Sequence, residues 1–156
     1  MRTGKHLLFL ALGLSAAVFA TAYRAHATLG ESTSSIESDR VALSAVGGGI
    51  TVYNGYTVHN LNSASTAIRE YVSSSGVVFA IAWNGLVYPD LTKLLGSYAA
   101  EYEEALKQTP REPGRRHLEV KTDRVVVQKW GHMRNLQGRA YVPGLLPPGV
   151  SIDEIK

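Results

Sequence analysis

Seven consecutive apolar residues, 77–83 (VVFAIAW), constrain this chain more than any other stretch. Ser74-Ser75-Gly76 precedes the run and Asn84-Gly85 follows it, and both are turn-forming. Successive strand residues point to opposite faces, so a strand that is apolar at every position needs cover on both. The expectation is a central strand buried from either side.

The neighbouring segments supply a sheet for it. Residues 50–53 and 56–61 are β-rich and flank Asn54-Gly55, the strongest short hairpin signal. Residues 67–73 alternate, with Ile68, Glu70 and Val72 on one face and Arg69 and Tyr71 on the other, which predicts one solvated face. Gly76 suits the left-handed position of a three-residue hairpin loop. Two further strands are expected at 117–122 and 124–130, a turn at 131–134, and another strand at 136–142. The tail, 143–156, carries prolines and glycines around Leu145, Leu146 and Val150 and reads as an ordered cover. Ser151 and Glu154 have capping-box spacing there.

Asp90 is a good N-cap, and Leu91, Leu94, Leu95, Tyr98, Tyr102 and Ala105 recur at helical spacing behind it. One amphipathic helix over about 90–107 follows, with Gly96 inside it for close packing on the sheet and a Glu103–Lys107 pair on its outer face. A shorter helix over 35–45 is expected to start on a Ser34/Glu37 capping box and to end at Gly47-Gly48-Gly49. Residues 108–116 (QTPREPGRR) form a basic loop. Strands and helices without a βαβ repeat give an α+β domain: an antiparallel sheet of five to seven strands, one main helix and a short N-terminal helix.

Residues 1–27 do not belong to that domain. Arg2 and Lys5 precede an apolar run over 7–22, and Ala25-His26-Ala27 places small residues at the −3 and −1 positions of a cleavage site. This is the layout of a secretory signal peptide, and the run is shorter than the roughly 20 residues that span a bilayer. The expectation is cleavage after Ala27, a periplasmic or secreted domain over 28–156, and membrane attachment only if the leader is retained. The leader holds three of the 16 basic residues and no acid, which leaves 13 bases against 13 acids. A neutral domain has no broad basic field, so nucleic acid is not an expected partner. The chain has no cysteine, which excludes a lipid-bearing cysteine, disulfides and thiolate metal sites.

Arg69-Glu70-Tyr71, Gly76-Val77-Val78-Phe79-Ala80, Trp83, Pro89-Asp90-Leu91 and Leu94-Leu95-Gly96-Ser97-Tyr98 together resemble a family of small exported proteobacterial proteins of unknown function. The second half carries the same resemblance in Gly131-His132-Met133-Arg134, Gly138-Arg139-Ala140-Tyr141-Val142-Pro143 and Leu145-Leu146-Pro147. The resemblance implies export and a single domain, and supplies no residue roles.

Catalytic patterns are missing from the sequence. His59, His117 and His132 show no HxxH or HExxH spacing, and no G-x-S-x-G occurs. No cofactor is implied. The most suggestive polar group is His132, Arg134 and Arg139, since guanidinium grips oxyanions bidentately. The plainer expectation for Arg139 is a pairing with Glu70 across the sheet. Trp83, Trp130, Tyr71, Tyr88, Tyr98 and Tyr141 are candidates for an aromatic groove that takes a sugar or peptide. The leading expectation is a non-enzymatic envelope domain that binds a partner protein, peptide or small ligand. The alternative is a hydrolase of an envelope polymer that gathers His132, Arg139 and Glu70 in a cleft.

Overall fold

Strand β4 (Val78–Gly85) lies in the middle of a seven-stranded antiparallel sheet, with three strands on either side. The protein is described by a computed structural model over residues 29–110 and 116–156. The expected leader, residues 1–27, and the middle of the 108–116 loop lie outside the described residues. The sheet order is β1-β2-β3-β4-β7-β6-β5. Strands β1 (Val46–Val52), β2 (Tyr56–Asn62) and β3 (Thr66–Ser73) form a meander that ends beside β4. The chain then leaves the sheet for its helices, returns at the far edge as β5 (His117–Lys121), and comes back inward through β6 (Val126–His132) and β7 (Asn135–Tyr141). β7 closes on β4, so the apolar run is flanked by the last strand of each half.

Both faces of β4 are covered, by different material. Ile81 and Trp83 face the helices, packed with Ile68, Leu94, Leu95, Val127 and Ala140. Phe79, Ala80 and Ala82 face the tail, packed with Tyr56, Tyr71, Val126 and Ile155. The tail folds as the sequence expects. Ser151 caps a 3-10 turn (Ile152–Glu154), Glu154 reaches back to the Ser151 N–H at 2.8 Å, and Ile155 is fully buried. The alternation in β3 holds in part: Ala67, Arg69 and Ser73 are partly exposed on the face toward the tail, but Tyr71 is buried beneath the tail. Alternation reports the polarity of a face and carries no information about what a distant segment lays over it.

The helical layer differs in detail from a single helix. Gly96 adopts φ +48°, ends α2 (Leu91–Leu95), and leads through a 3-10 turn (Gly96–Tyr98) into α3 (Ala99–Gln108). Its role is a backbone conformation that other residues resist, so it breaks the helix there. Asp90 caps α2 as expected, accepting from Thr92 N–H at 3.1 Å. Lys107 pairs with Glu104 at 3.2 Å, and Glu103 receives the Thr92 hydroxyl instead.

Helix α1 (Ser35–Ala42) also forms without its expected caps. Ser34 bonds the Ser32 hydroxyl, and Glu37 is taken by Arg40 at 2.6 Å. The helix ends at Ala42 and the chain turns away at Ser44, with φ +50°, so Gly47-Gly48-Gly49 are free to enter β1, where they form a bulge. Glycine has its clearest structural duty at Gly138. A Cβ there would lie 2.3 Å from the Trp83 indole, which crosses β7 at that point.

Candidate functional site

Neighbouring residues of β3 face opposite layers, and this decides where the polar groups go. Glu70 points to the helices and is fully buried. Arg69 points to the tail. The sequence-derived pairing of Arg139 with Glu70 therefore does not occur: Arg139 aligns with Ala82, which aligns with Arg69, so it lies on the face away from Glu70. Arg139 instead donates to Gln128 Oε1 at 2.6 Å and to the Ile152 and Ile155 carbonyls, and its guanidinium sits 5.7 Å from the Trp130 ring centre. It fastens the tail to the sheet.

The other two candidates lie elsewhere. His132 ends β6 and Arg134 occupies the following turn with φ +65°, both exposed. The turn is Met133-Arg134 alone, since Gly131 and His132 belong to the strand. His132 is four residues along β6 from Gln128, the partner of Arg139, which corresponds to about 13 Å. The fold brings no two of Glu70, His132 and Arg139 together. The six aromatic candidates are divided as well: Trp83 faces the helices, while Tyr71 and Tyr141 face the tail.

Two polar groupings do form, one on each face. On the helix side, Glu70 meets Asp39 of α1, which is also sealed from solvent. No N–H or hydroxyl donor reaches Glu70 Oε1, Glu70 Oε2 or Asp39 Oδ2. The two carboxyls are close enough to influence each other's titration. Burial pushes both above the ordinary carboxylate range; the Asp39 charge raises Glu70 further, whereas the Glu70 contact lowers Asp39, so the pair retains a proton at neutral pH on Glu70. His59 stands across from Glu70 on β2, with its pKa lowered by burial. Sequence spacing gives no hint of this constellation, because Asp39, His59 and Glu70 come from three separate elements. Sealed as they are, the two carboxyls are not presented to a substrate.

The tail side carries a cleft of about 360 Å³, lined among others by Tyr53, Tyr56, Arg69, Tyr71, Glu154 and Lys156. The Tyr53 and Tyr56 rings stack at 4.9 Å and 11°, and Tyr53 is half exposed. Tyr71 receives the Lys156 N–H at 3.0 Å and donates to the Lys156 carbonyl, which pins the chain end at the rim. Glu154 is already engaged, by the Tyr56 hydroxyl at 3.0 Å and the Ser151 N–H, and those hydrogen bonds lower its pKa. Arg69 is not. Its Nε is shut off from solvent and has no acceptor.

Comparison with known proteins places the chain. A family model described as a protein of unknown function, DUF2844, matches residues 25–155. The chain belongs to the DUF2844 family. The family match spans both the Tyr53–Arg69 cleft and the Asp39–Glu70 pair, and attaches no activity to either. Comparisons with curated proteins and with solved structures give no match. Among the described residues no group of three or more His, Asp or Glu side chains is placed to hold a metal, and no helix is long and apolar enough to cross a membrane.

Proposed function

We propose that this protein is an exported, non-enzymatic binding protein that holds its ligand in the cleft between the β1–β3 meander and the C-terminal tail. Export rests on the leader layout of residues 1–27. Binding rests on one observation, the guanidinium of Arg69 at a tyrosine-lined cleft without an internal partner. A buried polar group left unsatisfied costs about 1–3 kcal/mol, more when charged, and such groups gather at functional sites. No described geometry supports the hydrolase alternative, since Glu70, His132 and Arg139 are held apart.

The test is native mass spectrometry on protein recovered from the exporting cell. The expected result is a chain that starts at Thr28 and carries a non-covalent adduct, which Tyr53→Ala loses. A mature chain that retains the leader would remove the export reading. An adduct that is absent, or that persists in Tyr53→Ala, would remove the cleft.

A further inference from the structure

The Arg69 cleft has a charge imbalance that selects its ligand, and this inference rests on the binding reading above. Three ionic side chains meet there. Glu154 is satisfied by Tyr56 and Ser151. Lys156 lies at the rim, and Arg69 lines the interior. Arg139 stands two strands from Arg69 on the same face, about 10 Å away between backbones, with only Ala82 between them. Gln128 and the tail carbonyls occupy Arg139. Two cationic side chains, Arg69 and Lys156, thus stand against the single Glu154 carboxylate, and the Arg69 Nε is the buried donor among them without a partner.

Among the described residues no side-chain carboxylate accepts from the Arg69 Nε. Glu70, the adjacent carboxyl, is on the far side of the sheet. Asn60, across the strand pair, donates its amide to the Gly49 carbonyl. Among the described residues no aromatic face covers the guanidinium either, in contrast to Arg139 over Trp130 and Arg124 over Tyr98. A second depression, between the β5–β6 hairpin and the tail, is larger at about 480 Å³ but balances Lys121 against Glu119 and Asp123. It holds no unpartnered buried donor among its lining residues.

We infer that the cleft binds a small ring-bearing oxyanion, a carboxylate or phosphate on a scaffold of about monosaccharide size, with the oxyanion on Arg69 and the ring against Tyr53. The planar fork of a guanidinium matches either oxyanion through two parallel hydrogen bonds. The exposed, stacked Tyr53 gives a flat wall at the mouth. A volume of about 360 Å³ lies at the small end of ligand sites and takes one ring, not an extended polymer.

Titrations of the full mature chain at low ionic strength, followed by backbone amide shifts, use glucuronate, glucose 6-phosphate and glucose as probes. The expected result is that one or both anions bind at least about ten-fold more tightly than glucose, and which anion wins tells carboxylate from phosphate. Arg69→Gln should erase the preference, and Arg69→Lys should retain part of it. Lys107→Gln, which removes a charge from exposed α3, should leave it intact. Equal binding of glucose and the anions, binding of none of the three, or a preference that survives Arg69→Gln each overturns the inference. An adduct lost in Tyr53→Ala would still stand in those cases, so the oxyanion can fail while the binding reading holds.

Discussion

The two faces of the central sheet solve the same burial problem with opposite electrostatics. The helix face is closed by packed helices and traps two carboxyls, Asp39 and Glu70, with no cation bonded to them. The tail face is closed by a strap and carries two guanidiniums, only one of them engaged. Arg69 and Glu70 are adjacent in sequence, yet the sheet stands between them. The expected Arg139–Glu70 pair fails for the same reason, since Arg139 shares the Arg69 face. The difference teaches where each charge finds relief: the acids by keeping a proton, Arg139 by gripping carbonyls, and Arg69 by turning to the cleft.

The largest effects should come from breaking the cover on each face. Leu94→Ala on the helix side and Ile155→Ala on the tail side both empty fully buried sites, and each should cost about 2–5 kcal/mol in denaturant unfolding. A loss below about 1 kcal/mol for Ile155→Ala would show that the tail is a loose flap and not a second cover.

Acid titration separates the faces next. Asp39 and Glu70 have raised pKa values in the fold, so the folded state holds protons that the unfolded chain has released. Their stabilisation is complete below the ordinary carboxylate range near pH 4 and is lost as pH rises toward about 9. One such proton held from pH 5 to pH 8 corresponds to about 4 kcal/mol. His59 runs the other way: its lowered pKa withdraws stability as pH falls below about 6.5. Glu70→Gln should flatten the alkaline decline and raise stability at pH 8. An unchanged slope would mean that the pair does not hold its proton.

Smaller changes test the tail face alone. Arg139→Gln removes the fork that joins β7, Gln128 and the tail carbonyls, and should cost about 1–3 kcal/mol. Arg69→Gln should stay within about 0.5 kcal/mol of the parent or stabilise it, since no internal partner is lost. Matching losses for the two arginines, measured side by side, would dissolve the distinction between a structural and an available guanidinium.

Much of the framework was legible in the residues. VVFAIAW could be satisfied only at the centre of a covered sheet, and it lies there with three strands on each side. Asn54-Gly55, Gly76, Asp90 and the Ser151/Glu154 box act locally, through backbone conformations and short-range hydrogen bonds, and each does its expected work. The local readings that failed met a competitor nearby. Ser34 turned to Ser32, Glu37 to Arg40, and the three glycines entered a strand.

The site was less legible, because it depends on which side of the sheet a side chain meets and what is laid over it. His132 and Arg134 were readable as polar turn residues, but their distance from Glu70 was not. Asp39 lies three residues after Ile36 on the inward face of α1 and is buried with it where that helix covers the sheet. Local patterns set the strands, the burial of β4 on both faces and the capped turn of the tail, since an unbroken apolar run, turn chemistry and capping act over a few residues. Tertiary structure alone decided that Glu70 is matched with Asp39 and that Arg69 is left facing a cleft. Those outcomes depend on register and crossover between segments far apart in the chain, which no local pattern encodes.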